Sequence, residues 1–139
     1  MNSASHYYNQ NTYVVSEVHK VIDGDTVHIE VDLGLRASKE VYLRLADIDT
    51  PELRGGDEIS RTRATAAKQA LEGLLGAHAD GDHRLLVQFR KGKSFDRWIG
   101  YLTIRNEKTS TEVNVNDWMV DEHHAVRLVN KNRQPKHKK

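Results

Sequence analysis

Val21-Ile22-Asp23-Gly24-Asp25-Thr26-Val27-His28-Ile29-Glu30-Val31-Asp32-Leu33 is the stretch whose reading decides the fold. From Thr26 onward the residues alternate. Val27, Ile29, Val31 and Leu33 fall on one face, and His28, Glu30 and Asp32 on the other. A period of two places every second side chain on the same side of an extended backbone, so this is a strand with one buried face. Tyr13 to Ile22, just before it, carries the β-branched residues Val14, Val15, Val18 and Val21 and reads as a second strand. Asp23-Gly24 between the two is a hairpin-turn signal.

The pattern continues downstream. Gly34 to Ser38 turns the chain, and Glu40 to Ala46 forms a third strand. Its Val41, Leu43 and Leu45 face inward, so Tyr42, Arg44 and Ala46 lie on the opposite face. Asp47 to Asp57 reads as a loop broken by Pro51 and Gly55-Gly56. Ala64, Ala67, Leu71, Leu74 and Leu75 recur at helical spacing, which predicts a helix from Ser60 to Ala77 with Ser60 or Asp57 as its cap. Arg84 to Phe89 is a fourth strand, Arg90 to Ser94 a basic loop, and Trp98 to Arg105 a fifth strand. Val115 to His123 reads as a short second helix. Five strands with a helix after the third is the order of an α+β, mainly β protein: a five-stranded OB-fold-type Greek-key barrel with two helices.

The chain has 139 residues, enough for one domain with a hydrophobic core. The reading divides it into a polar N-terminus at 1–12, a domain at 13–126 and a basic tail at 127–139. With no cysteine, the fold uses no disulfide, and thiolate metal sites and cysteine nucleophiles are excluded. The polar start, Met1 to Tyr8, lacks a basic segment followed by an apolar one, which reads as no secretory signal in this chain. No apolar run approaches the roughly 18 residues of a membrane helix, so no membrane association is expected. The net charge of +1 conceals an asymmetry: residues 1–126 carry −5 and residues 127–139 carry +6. An acidic body suits a cation site, and a basic tail suits either solvation or loose contact with nucleic-acid phosphates.

Two segments carry the chemistry. Asp23-Gly24-Asp25-Thr26 and Asp49-Thr50-Pro51-Glu52 each put carboxylates where a strand gives way to a turn, with Arg44 near the end of the strand between them. Carboxylate oxygens hold hard cations, and guanidinium groups hold phosphate in a bidentate grip. Either segment alone reads as an ordinary turn or loop, and Arg44 alone as a solvated strand residue. The histidines are scattered, and the adjacent pair His123-His124 has no further ligand at a convincing spacing.

Four segments together resemble the staphylococcal-nuclease-like (thermonuclease) family. They are Val21-Ile22-Asp23-Gly24-Asp25-Thr26-Val27, Arg44-Leu45-Ala46-Asp47-Ile48-Asp49-Thr50-Pro51-Glu52, the weaker Phe95-Asp96-Arg97-Trp98-Ile99-Gly100-Tyr101, and Val115-Asn116-Asp117-Trp118-Met119-Val120. The resemblance covers about residues 13–126. It implies a calcium-dependent nuclease acting on DNA and RNA with little sequence preference and leaving 3′-phosphate products. It also implies that Asp25, Asp49 and the main-chain carbonyl of Thr50 bind Ca2+, that Asp23 lies beside the metal, and that Arg44, Glu52 and Arg97 form the catalytic set. The chain departs from the family pattern at Phe95 and Asp96, in a shorter loop before Arg97, and in the absence of a third helix and of base-stacking tyrosines after the second. Arg97 is assigned by aligning the preceding aromatic and the following apolar strand; a shifted register would put Gly100 at that position instead. Phe95, with Lys91 and Lys93 in the basic loop, is the expected substrate contact. A monomer is expected. The alternative is a catalytically silent barrel that binds nucleic acid or protein.

Overall fold

The computed structural model describes residues 12–54, 56–90 and 98–128. In chain order the elements are β1 (Thr12–Asp23), β2 (Thr26–Gly34), β3 (Ala37–Leu45), β4 (Ile48–Asp49), α1 (Glu58–Ala77), β5 (His83–Phe89), β6 (Trp98–Asn106), β7 (Thr111–Asn114), α2 (Val115–Asp121) and β8 (Val126–Arg127). Strands pair in the order β3-β2-β1-β5-β6, and a further parallel pairing of β3 with β6 closes the sheet into a five-stranded mixed barrel. Closure removes the free edges that an open sheet would expose. The fold is therefore the α+β, mainly β, OB-like barrel with two helices that the alternation pattern predicts.

Val27, Ile29 and Val31 of β2 and Val41, Leu43 and Leu45 of β3 are buried, as the period of two predicts, and Val87, Leu102 and Ile104 of β5 and β6 join them. Ala46, read on the opposite face with Tyr42 and Arg44, is instead buried, because it lies just past the end of β3 where the chain is tied to the closing seam. Leu33, placed with the inward set by alternation, is instead exposed near the end of β2. Helix α1 lays Ala64, Ala67, Leu71, Leu74 and Leu75 against the barrel. Asp57 caps it, its carboxylate accepting from Ser60 N at 2.8 Å. Of the two cap candidates, Asp57 therefore fills the role and the helix starts two residues before Ser60.

Three short elements escaped the sequence pattern. β4 lies within the segment read as loop, β7 follows β6 in a hairpin, and β8 pairs with β4. Ordered structure thus runs past Val126. Arg127 pairs with Ile48 across the β4–β8 ladder and its guanidinium reaches Asp117 Oδ1 at 2.9 Å, while Leu128 N–H donates to the Asp47 carbonyl at 2.8 Å. Two-residue strands carry no periodicity to read.

The closing seam is built around Gly100 and Asn116. A Cβ on Gly100 would run into the backbone carbonyl of Gln88, so β5 and β6 need glycine there to approach. Ala46 N–H donates to the Gly100 carbonyl at 2.8 Å. Asn116, almost fully buried at the start of α2, accepts from Leu102 N–H at 3.1 Å and donates to the carbonyls of Ala46 at 3.0 Å and Gly100 at 3.1 Å. One amide thus ties helix α2 to β6 and to the chain leaving β3. Substituting Asn116→Leu strands a buried N–H and leaves one amide fewer on each carbonyl. Such losses cost about 1–3 kcal/mol per orphaned group. Chemical denaturation is therefore expected to show Asn116→Leu destabilised by about 2–4 kcal/mol, with Asn116→Asp comparably affected because its carboxylate would face two carbonyls. A change below 0.5 kcal/mol would contradict this role for the amide.

Candidate functional site

The β1–β2 turn is where the site begins. Asp23 pairs with Thr26, leaving Gly24 and Asp25 as its two central residues. A Cβ at Gly24 would lie 2.8 Å from Ala67 Cβ and 3.0 Å from Thr50 Oγ1 and Cγ2. The glycine is thus required because the turn is pressed between α1 and the β4 segment. Asp23 Oδ1 accepts from Asp25 N–H at 3.1 Å and fixes the turn.

Asp25 is only 7% exposed. Its Oδ2 accepts from Thr50 N–H at 3.1 Å and Thr50 Oγ1 at 3.0 Å, and lies 3.3 Å from Arg44 Nη1. Its main-chain carbonyl accepts from Leu45 N–H at 2.8 Å. Arg44 stands opposite Thr26 across the β2–β3 ladder, so the pairing register itself brings the guanidinium to Asp25. The other end of that guanidinium meets Asp49: Arg44 Nη2 to Asp49 Oδ1 is 3.3 Å. Arg44 also donates to the Leu45 carbonyl at 3.0 Å. Asp25 is buried and Asp49 is 55% exposed on its side chain, so the group opens to solvent on the Asp49 side.

The segment carrying Asp49 and Thr50 is pinned from several directions. β4 pairs Asp49 with Val126. Asp47, in the left-handed region at φ 66°, receives Arg90 Nη1 on Oδ1 and Tyr101 Oη on Oδ2, each at 2.6 Å. Burial, and then the hydrogen bond to Asp47, raise the Tyr101 pKa above the usual phenol value. The hydroxyl therefore stays a donor to the carboxylate through neutral pH.

Asp25 is thus brought to Arg44, Asp49 and Thr50, about twenty or more residues further along the chain, with Asp23 beside it. Glu52 lies exposed past Pro51 and makes no ion pair or side-chain hydrogen bond among the described residues. Arg97, Phe95, Lys91 and Lys93 lie outside the described residues. Residues the sequence reading did not single out are Asn116 as a buried staple, and Asp47 and Arg90 as the anchor of the β4 segment; a left-handed aspartate and a buried asparagine leave no periodic signal. A second cluster also arises only from strand pairing. Glu17, His19 and Glu30, on β1 and β2, have ligand atoms within 4.8 Å of one another on the outer sheet face. His19 Nε2 lies 3.2 Å from Glu30 Oε1 and His28 Nε2 lies 3.2 Å from Glu40 Oε1.

Asp25 and Asp49 bring carboxylate oxygens, the ligands hard cations take, to either side of Arg44. Asp25 Oδ2 is filled by Thr50 and Arg44, and among the described residues the group of three with ligand atoms within 4.8 Å is Glu17, His19 and Glu30, not Asp23, Asp25 and Asp49. Burial first, and then the neighbouring Asp25 carboxylate, push the Asp23 pKa above its ordinary value. No helix among the described residues is long and apolar enough to cross a membrane. No protein-family model matches the chain, and no curated protein matches it.

The Asp23 shift gives a signed prediction in chelator. A carboxyl whose pKa is raised by folding favours the folded state most at low pH, and that contribution fades as pH rises through the folded pKa. Asp23→Asn keeps the Oδ1 acceptor for Asp25 N–H and removes the charge. Thermal melts in chelator are expected to show Asp23→Asn more stable than the parent at pH 7, with the gap closing as pH falls through the carboxylate range. An equal or lower melting temperature at pH 7 would contradict the charge-crowding account.

Proposed function

We propose that this protein is a calcium-dependent nuclease that hydrolyses phosphodiester bonds of single-stranded DNA and RNA with little sequence preference, leaving 3′-phosphates. The observation that carries the reading is the convergence of two carboxylates, Asp25 and Asp49, on the single guanidinium of Arg44, with a separation of 3.3 Å on each side. A barrel that only needed stability gains little from this grouping, because a partly buried carboxylate costs desolvation that its partners must offset. The OB-like barrel supports the substrate class, since this architecture commonly presents a face to single-stranded nucleic acid.

In this reading Asp25, Asp49 and the carbonyl of Thr50 hold Ca2+, with Asp23 beside it. The bound ion supplies charge neutralisation at the phosphate and an acidified water. Arg44 grips the phosphoryl oxygens, releasing its contacts with the carboxylates as it does so. Arg97 is the second guanidinium that shares the growing charge of the in-line transition state. Glu52 acts on the attacking water; its exposure leaves it free of competing ion pairs among the described residues. The 5′ oxygen leaves. A barrel that binds nucleic acid or protein without cutting is the second reading, favoured by the absence of any hydrogen bond or ion pair from Glu52 to Asp25, Arg44 or Asp49 among the described residues.

The test is cleavage of a single-stranded DNA oligonucleotide with calcium and with chelator. Expected are calcium-dependent cleavage and a loss of roughly 10²–10³ in rate for Arg44→Ala, Glu52→Ala and Arg97→Ala, with circular dichroism unchanged. Cleavage that persists in chelator, or an unaltered rate in Arg44→Ala, would overturn the mechanism. Binding without cleavage in every metal tested would favour the second reading.

A further inference from the structure

The first part of α1 carries Arg61 and Arg63, and the chain just after α2 carries the pair His123-His124. The fold brings Arg63 and both histidines to one place. A cavity of about 430 Å³ is lined by Asp49, Thr50 and Pro51 on one wall, by Arg63 and Ala66 of α1 on another, and by His123 to Val126 on the third. Its volume falls within the roughly 300–1,000 Å³ typical of small-ligand sites. The cavity therefore shares Asp49 and Thr50 with the candidate centre, and its lining adds Arg63 and two histidines.

The lining is chemically lopsided. Its ionisable members are Asp49, at the end next to Arg44, and Arg63, His123 and His124. Arg63 makes no ion pair among the described residues; the pKa of the helix-capping Asp57 is lowered first by its hydrogen bonds from Ser60 and only last by the charge of Arg63. Its neighbour Arg61 is used differently, donating to the Gly56 carbonyl at 2.9 Å. His123 adopts the left-handed region at φ 65°, a conformation a non-glycine residue takes at a cost. The turn is held by His123 N–H donating to the Val120 carbonyl at 3.0 Å and His124 N–H to the Met119 carbonyl at 2.9 Å. The β4–β8 ladder, with Asp49 opposite Val126, then sets the third wall against the first.

We propose that this cavity is a substrate subsite that takes the phosphate one nucleotide away from the bond being cut, with Arg63 as its principal ligand and the two imidazoles as supplementary donors. The inference rests on the nuclease reading for the identity of the substrate. Arg63 is a positioning residue here: it touches the substrate chain away from the reacting atoms. A guanidinium meeting a phosphate dianion or diester forms charge-assisted hydrogen bonds, the strong kind.

The experiment uses the full chain in calcium and three substrates: a dinucleoside monophosphate, and the same molecule with a 5′ or a 3′ terminal phosphate. One phosphorylated form is expected to have a KM about tenfold lower than the bare form, equivalent to about 1.4 kcal/mol. Arg63→Ala is expected to erase most of that difference, whereas Arg61→Ala, which removes the same charge two residues away, keeps it. An advantage that survives Arg63→Ala, or that Arg61→Ala removes equally, overturns the subsite. Should the parent cleave nothing, the nuclease reading fails by itself. The subsite is then read from NMR titration of the same three molecules. Weaker binding of one phosphorylated form to Arg63→Ala than to the parent supports it, and equal binding overturns it.

Discussion

The Asp25 carboxylate joins what the chain keeps apart. It sits in the β1–β2 turn, yet its partners are Thr50, on the segment after β4, and Arg44, on β3. A carboxylate so little exposed is tolerable only when its lone pairs are filled, because burial without partners disfavours the charged form. Two donors from Thr50 and a guanidinium fill one oxygen, and Thr26 Oγ1 approaches the other at 3.3 Å. The same contacts that make the burial affordable fix the spacing between the two acidic segments. Structural satisfaction and functional geometry are therefore one arrangement, and Gly24 is its steric condition.

The barrel supplies the rigidity behind that arrangement. Parallel pairing of β3 with β6 places Arg44 opposite Ile99 and Leu45 opposite Gly100, so the strand end bearing Arg44 is held by the closing seam. Asn116 binds the chain just beyond it, and Asp47 then turns that chain sharply under the hold of Arg90 and Tyr101. A site built this way holds its groups on rigid elements, as the proposed phosphate recognition would require. Asp23 feels that enclosure: burial first, and then the neighbouring Asp25 carboxylate, raise its pKa above the ordinary value. Local electrostatic strain of this kind is common where a fold gives up stability for chemistry.

Much of this was legible in the chain. Alternation in Val27, Ile29 and Val31 and in Val41, Leu43 and Leu45 identified the barrel strands, because a half-buried strand has to alternate. The helical spacing of Ala64, Ala67, Leu71, Leu74 and Leu75 identified α1 for the corresponding reason. Asp25, Arg44 and Asp49 stood out as carboxylates at turns flanking an arginine, whereas Thr50 entered only through the resemblance of four segments to the staphylococcal-nuclease-like family. The β4–β8 ladder was not legible: two-residue pairings are products of the closed barrel and carry no pattern of their own. Asn116 looked like one more polar residue opening a helix, and only the packed seam shows that its amide faces three backbone groups. Gly24 was read as a turn former, but its neighbours Ala67 and Thr50 make it a residue of close approach. The meeting of Arg63 with His123 and His124 likewise depends on how α1 and the chain after α2 lie across the barrel.

The account stands on Asp25 and Asp49 acting as a pair toward a cation, with Arg44 sharing both. Carboxyl 13C NMR of the full chain during a calcium titration reads that directly. The account predicts that the Asp25 and Asp49 side-chain signals shift together along one saturating curve with a stoichiometry of one. Calcium that leaves both signals in place, or that moves those of Glu17 and Glu30 instead, would contradict it.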